Sequence, residues 1–356
     1  MSERATLMQI LNLARWAPSG DNTQPWRFEI LGDDRIAIHG FDTRDTVLYD
    51  FDGHASHIAH GALLETLRIA ASGHACGLEW QLRSDGDERH PVYEARIFAE
   101  PGGAPDPLFT EITRRVVQRR PMRTQPLSDA QRAALRSAVG EAFELRFYES
   151  FRHRLQFARL LWDNAYIRLT APEAFEVHRS VIEWGARYSE DRIPDEAVGV
   201  DRATARLMRW AMQSWGRVDF LNRYLLGTVA PRVQLDFLPA LACAGHFTIQ
   251  SRRPPRQLLD FVEAGMAVQR LWLTASTLNL LLQPEMTPVI FGWFVRSARS
   301  ISARPGLDRR AAELTERIAA LVGEGEGSRI VFMGRIGEGR QPWSRSTRLQ
   351  VERLMR

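Results

Sequence analysis

The sequence predicts an α+β protein made of two related units in one chain. Two observations carry this reading. Helical and strand-like patterns alternate from the N-terminus onward, and one long apolar helix pattern occurs twice. Gly61-Ala-Leu-Leu-Glu-Thr-Leu-Arg-Ile-Ala-Ala-Ser and Gly265-Met-Ala-Val-Gln-Arg-Leu-Trp-Leu-Thr-Ala-Ser share Gly, Leu, Ala and Ser at a constant offset of 204 residues, from Gly61 to Gly265. A helix that is apolar on most sides must be covered on most sides, so the pair is expected at the core of an internal dimer. The units are placed at residues 1–105 and 106–356, with a helical insertion at about 151–245.

The first helix shows apolar residues at Leu7, Ile10, Leu11, Leu13 and Ala14. Pro18 disfavours helix at Ala17, because its ring clashes with the residue before it. Ser19, Gly20, Asp21 and Asn22 then supply turn chemistry, and Arg27 to Ile30 reads as a strand leading through Gly32-Asp33-Asp34 to a second one. Such a polar corner can grip a planar ligand. In the second unit a helix is expected at Asp129–Val139 and a strand at Glu144–Ser150. The helix that begins near Gly265 is read as running on to Pro284, and a strand at Arg329–Met333 as leading into a glycine loop at Gly334, Gly337 and Gly339. Phe28 to Gly61 spans 33 residues, whereas Phe147 to Gly265 spans 118 and carries Trp162, Trp184, Trp210 and Trp215.

The run A-R-W-A-P-S-x-x-N-x-Q-P-W-R-F, ending at Phe28, resembles the FMN-dependent nitroreductase superfamily. The resemblance implies a nitroreductase-like fold of mostly antiparallel sheets flanked by helices, with Pro18, Ser19 and Asn22 against the flavin of the opposite unit. The basic run that usually precedes this corner is matched at Gln118-Arg119-Arg120-Pro121-Met122-Arg123, where Pro121 replaces the expected Ser. Arg119 and Arg123 keep the i, i+4 spacing of the family's basic pair, and their guanidinium forks suit phosphate and carbonyl oxygens. The resemblance places Arg123 near the N1/O2 edge of the flavin, with Arg120 in the same run. Arg119 and Arg345 would hold the phosphate with Ser344, and Arg348 is a weaker candidate. Pro284, Glu285 and Met286, in the loop Gln283–Thr287, would come near flavin N5 through backbone N–H groups.

The first unit keeps the proline-serine corner and the second keeps the arginine run, so one composite FMN site per chain is expected. The pattern is similar to the tandem, Acg-like branch of the superfamily. It implies a monomer with an internal pseudo-dimer and a lid, Phe175 to Gly227, that sets access to the flavin.

Composition narrows the alternatives. The chain has 356 residues and a net charge of +4, and all 47 of its basic residues are arginine. Without lysine, neither a P-loop lysine nor a Schiff base is available. The arginines are interspersed with acids, which argues against nucleic-acid binding. Cys76 and Cys243 are far apart and lack CxxC spacing, so no disulfide framework or zinc ribbon is expected. His54, His57 and His60 fall at i, i+3 and i+6 without a completing carboxylate pair, and no metal site is expected. Cys243 and His246 could form a thiolate–imidazole pair, but no third orienting group is evident and a buried cysteine is favoured. The run GRIGEG lacks the G-x-G-x-x-G order and a following helix, which excludes a dinucleotide loop. No signal peptide or membrane span is evident, so a cytoplasmic location without a membrane partner is expected.

The expected function is oxidoreduction of a small organic molecule, with NADPH or NADH as electron donor. No catalytic side chain is required, since the flavin would carry the chemistry and the protein would bind and orient it. Two alternatives are a flavin-sequestering protein closed by its lid and a flavin-consuming or peptide-modifying enzyme on the same fold.

Overall fold

The computed structural model describes residues 3–84 and 86–356. Helix α1 (Glu3–Ala14) turns Leu7, Ile10, Leu11 and Ala14 inward, all essentially unexposed. A polar corner then feeds strand β1 (Trp26–Ile30), which pairs antiparallel with β2 (Arg35–Gly40). Helix α2 (His54–Ser72) and strands β3 (Cys76–Leu82) and β4 (Val92–Ala99) complete the first unit, whose antiparallel sheet has the order β1-β2-β4-β3.

The second unit repeats this plan. Helix α3 (Asp129–Val139) starts at a capping box in which Ser128 and Gln131 satisfy each other's backbone N–H, and it leads to β5 (Phe143–Tyr148). An insertion follows, containing helices α4 (Phe151–Thr170), α5 (Pro172–Val181), α6 (Arg202–Ala211) and α7 (Trp215–Tyr224). The repeat then resumes with β6 (Gly245–Ser251), helix α8 (Leu258–Thr277) and β7 (Leu281–Pro284). Helices α9 (Thr287–Arg296) and α10 (Leu307–Val322) precede β8 (Ile330–Gly337). The second sheet has the order β5-β6-β8-β7, again antiparallel throughout. Element for element this is the order of the first sheet, so the repeat read from the helices extends to both sheets, although the 204-residue offset itself holds only for the helix pair and the strand after it.

Helices α2 and α8 pack against each other at the centre. A Cβ added to Gly61 would overlap the carbonyl oxygen of Val262, and one added to Gly265 would overlap that of Ile58. Ile58 and Val262 are themselves related by the 204-residue offset, so the two contacts are mates under a pseudo-twofold axis. The same axis relates two polar pairs further along. Gln269 Nε2 donates to Thr66 Oγ1 at 2.8 Å, and Arg270 pairs with Glu65 at 2.8 Å. The segment that follows the first sheet and the C-terminal tail each add a bridge to a sheet edge, and the tail thereby crosses to the first unit. Val117 forms a parallel bridge to Leu282 of the second sheet, and Met355 forms one to Phe28 of the first.

Three expectations need correction. Helix α8 ends at Thr277, with Asn279 in the left-handed region (φ 57°), and Pro284 is the last residue of strand β7 rather than a helix stop. The apolar run continues through this turn into the strand, which hides the helix end from periodicity. Gly334 and Gly337 lie inside β8, not in a loop, with neighbouring backbone and ring atoms where a Cβ would stand. The strand beginning near Glu144 ends at Tyr148, and Ser150 instead caps α4 by accepting from the His153 N–H.

The histidines of α2 are packing and bridging groups. His54 stacks on Phe261, His57 bonds the Glu88 carbonyl, and His60 sits between the Pro25 carbonyl (2.7 Å) and the Tyr93 hydroxyl (3.2 Å). Among the described residues no helix is long and apolar enough to cross a membrane.

Candidate functional site

A cavity of about 440 Å³ opens where the two units meet, within the usual size range of ligand sites. Its floor is the central helix pair, through Ile58, Ala59 and Ala62 of α2 and Val268 and Trp272 of α8. The first unit adds the corner Pro18–Asn22 and Tyr49. The second adds the edge of its sheet, through Gln283 to Met286 and Arg335, and the tail residues Ser344 to Ser346 and Arg348.

The corner is a strained turn held from outside. Asp21 (φ 48°), Asn22 (φ 65°) and Gln24 (φ 48°) all occupy the left-handed region, where Asp and Asn are tolerated best. Ser19 Oγ accepts from the Gln24 N–H at 3.0 Å. Asn22 Nδ2 donates to the carbonyls of Glu190 (3.0 Å) and Thr347 (3.2 Å), and Gln24 Nε2 donates to the Glu190 carbonyl at 2.8 Å. The corner is therefore tied to both the insertion and the C-terminal tail. Asn22 Oδ1 is buried without a partner.

One end of the cavity is a cluster of guanidinium groups. Arg115 Nη2 donates to the Trp16 carbonyl (3.1 Å), and its guanidinium lies 4.6 Å over the Trp272 ring. Arg345 donates to the carbonyls of Thr113 (2.9 Å) and Arg115 (3.1 Å), and Arg348 to that of Ala17 (2.9 Å). Arg119 stands apart from these three, beside Asp21 and Arg335, and reaches the Ala197 carbonyl at 3.4 Å. Among the described residues none of these four forms an ion pair with a carboxylate, while Nε of Arg115 and of Arg345 is a buried donor without an acceptor. Burial, with the Arg348 and Arg345 charges, lowers Arg115 well below the ordinary arginine range. Burial and the charges of Arg345 and Arg15 bring Arg348 down to about 9, and burial brings Arg119 to about 10. Like charges gathered in a partly dry site, with donors to spare, form an anion receptor.

The other walls carry paired groups. Arg168 makes a two-pronged contact with Asp236 (2.9 Å to each oxygen), and Tyr49 Oη lies 2.9 Å from His178 Nε2. Burial raises Asp21 and drives His178 down to about 3, so that this imidazole is neutral. Glu285 links Arg335 (2.8 Å) to His246 (2.7 Å). Burial alone would push His246 down, but the Glu285 carboxylate and Cys243 outweigh it and hold the imidazolium up to about 10.

Of the residues singled out in the sequence, Pro18, Ser19, Asn22, Arg119, Pro284, Glu285, Met286, Ser344 and Arg345 line this cavity. Arg120 and Arg123 do not. Arg120 is exposed and reaches the Gly199 carbonyl at 3.3 Å; Arg123 is 74% exposed and pairs with Glu338 at 3.3 Å. The segment is extended, and the bridge from Val117 to Leu282 seats Arg115, Val116, Val117 and Arg119 along the cavity. Met122 then turns inward against Cys243 and Leu281, which leaves Arg123 in solvent. The basic pair at the site is thus Arg115 and Arg119, four residues earlier than expected. The Glu285 N–H is committed to the Met333 carbonyl at 2.8 Å and is not free for a ligand.

Arg115, Arg168, Arg335, Tyr49 and His178 escaped the sequence reading. Arg115 alone left a local signal, its place four residues before Arg119 at the head of the β-prone run Arg115-Val-Val. Glu285 is also the third group that the Cys243 and His246 spacing did not reveal. Both Cys243 and His246 are fully buried, with Sγ 3.8 Å from Nε2.

Residues 3–78 match the model of the nitroreductase family. No curated protein matches the chain. Among solved structures, it is similar to a nitroreductase-like family protein from Bacillus cereus, with 11% identity, 70% of this chain and 95% of that one covered, and a TM-score of 0.36. A nitroreductase with bound FMN from Bacteroides fragilis shows 9% identity over 66% of this chain and 89% of its own, at a TM-score of 0.36. The FMN-dependent nitroreductase NfnB from Mycobacterium smegmatis, in complex with NADPH, shows 12% identity over 69% and 95%, also at 0.36.

Proposed function

We propose, on the match of residues 3–78 to the nitroreductase family model and on the geometry of the cavity, that this chain is an FMN-binding oxidoreductase with one composite cofactor site. The observation that carries the reading is the arginine cluster at one end of a cavity built from both units. A flavin mononucleotide presents a phosphate dianion, ring carbonyl and nitrogen acceptors, and one ring N–H. Arg115, Arg345 and Arg348 fit the phosphate, with Ser344 beside them. The orphaned donors Arg335 Nε and Trp272 Nε1 and the orphaned acceptors Asn22 Oδ1 and Gln283 Oε1 fit a polar ring edge. The apolar faces of α2 and α8 offer a flat wall for the rest.

A bound FMN would supply hydride and electron transfer at N5. The chain's part is to bind the phosphate, exclude water and shape the substrate space. The insertion closes that space with Val181, Ile182, Ile193, Met208 and Met212. Three of its four tryptophans are engaged elsewhere: Trp162 under Arg232 (3.7 Å), Trp210 under Arg217 (4.7 Å) and Trp215 against Phe175 (5.7 Å). Methionine and aliphatic walls adapt to varied apolar substrates, which supports an enzyme that takes a small organic molecule and NADPH or NADH. The closing insertion also favours a second reading, flavin sequestration.

The test is the visible spectrum of the purified protein, with flavin released by heat, counted and identified. One FMN per chain supports the composite site, and no flavin after saturation with FMN overturns the proposal. Steady NADPH oxidation with an added acceptor selects the enzyme; a bound but unreactive flavin selects sequestration.

A further inference from the structure

Helix α6 presents three faces. Arg202, Arg206 and Arg209 recur at i, i+4 and i+7, Leu207 and Trp210 lie beside that row, and Met208 and Met212 line the cavity on the opposite side. Leu207 is 49% exposed and Trp210 45%. Among the described residues, Arg202, Arg206 and Arg209 form no ion pair. Helix α7 continues the surface, since Arg217 lies over Trp210 and donates to its carbonyl at 3.0 Å. Phe220 and Tyr224 stand one turn apart on the outer side, with ring centroids 5.2 Å from each other, while Trp215 and Asn222 face inward to Phe175 and the Leu169 carbonyl. The helix ends in a tip where Tyr224, Leu225 and Leu226 are 70%, 62% and 74% exposed.

We propose that this outer face of the insertion docks on an anionic lipid surface. An amphipathic helix with an arginine row beside tryptophan and leucine is suited to lie in a headgroup plane, and an aromatic-leucine tip is suited to enter its apolar edge. From Arg202 to Leu226 there are five arginines and one acid, Asp219, which is already paired with Arg223 (2.8 Å) and Arg304 (3.5 Å). The face is therefore positive and complementary to acidic headgroups. A second copy of the chain is the poorer occupant, because an isologous contact would set the unpaired arginine rows against each other. Surface docking requires no membrane span. It would place the cavity directly behind the contact, since Met208 and Met212 belong to the docking helix and its following turn.

The test is co-sedimentation of the full chain with phosphatidylcholine vesicles, with and without phosphatidylglycerol, at low and high salt. Binding is expected only to the anionic vesicles and should weaken with salt. The double variant Arg206→Gln, Arg209→Gln should lose about thirtyfold in partitioning, at about 1 kcal/mol per arginine. The double variant Leu225→Ser, Leu226→Ser should also bind more weakly at unchanged net charge, and unaltered thermal unfolding of both variants would show that folding is intact. Absence of binding, equal binding to neutral vesicles, or indifference to both double variants overturns the proposal. A concentration-dependent dimer in sedimentation that either variant abolishes would assign the face to a second copy and overturn it equally.

Discussion

Gly61 and Gly265 occupy equivalent places on two crossing helices, and each leaves the space that the other unit's backbone carbonyl fills. The contact is reciprocal, as in an isologous dimer interface, but both sides are encoded separately.

Replacing either glycine with alanine should therefore destabilise the protein by similar amounts. Overpacking of this kind costs about 1–3 kcal/mol, outweighing the gain of about 1 kcal/mol that alanine brings to a helix interior. Urea unfolding of Gly61→Ala and Gly265→Ala measures it. A stabilised variant would mean that the helices do not approach so closely.

Two arginine substitutions distinguish the cavity from its surroundings. Arg115→Ala or Arg345→Ala should weaken FMN binding by about 1.5–3 kcal/mol, the worth of a charge-assisted contact, whereas Arg123→Ala should leave it unchanged. Flavin titration followed by fluorescence quenching reads both. Loss of affinity on removing Arg123 would restore the register expected from the sequence.

Asn22→Ala should do more than alter the flavin spectrum. Its amide clamps the carbonyls of Glu190 and Thr347, so its loss should cost about 1–3 kcal/mol and loosen the junction of corner, insertion and tail. Protection from limited proteolysis around residues 185–195 would fall. An unchanged cleavage pattern would place the clamp's weight on Gln24 alone.

Buried histidines give stability a shape in pH. Burial holds His54, His60 and His178 at about 3, below the unfolded value near 6.5. Their contribution is present above pH 6.5 and is lost as pH falls towards 3, because the unfolded chain binds more protons. His60→Gln should reduce the acid slope by about 1.4 kcal/mol per pH unit, one proton's worth. His246, held at about 10, acts the other way: its contribution is complete below pH 6.5 and fades as pH rises through 10. His246→Gln should flatten that alkaline limb. Denaturant midpoints across pH measure both arms.

The corner at Pro18 was legible because its causes are local, a helix stop followed by turn-forming side chains. Helix α3 was legible to the residue for the same reason, its capping box and periodicity being contained in one short stretch. The arginine register was not, since Arg119 and Arg123 were matched to the family's basic pair by spacing alone, and which arginines face the cavity is set by the pairing of Val117 with Leu282, a partner distant in the chain. Tyr49 and His178 meet across two units, and no pattern within either segment marks them as partners. The Glu285–His246 contact was hidden likewise, because it forms only when β6 and β7 flank β8.

The insertion between β5 and β6 has no counterpart between β1 and β2, where a short turn joins the strands. In a protein built from two identical copies, any added segment appears twice and must be tolerated at both positions. Joining the halves in one chain lifts that restriction: one half can acquire a cover while the other keeps its open hairpin. Each half is thereby free to change without imposing the same change on its mate, which is the condition under which a symmetric scaffold can give a single, specialised cavity.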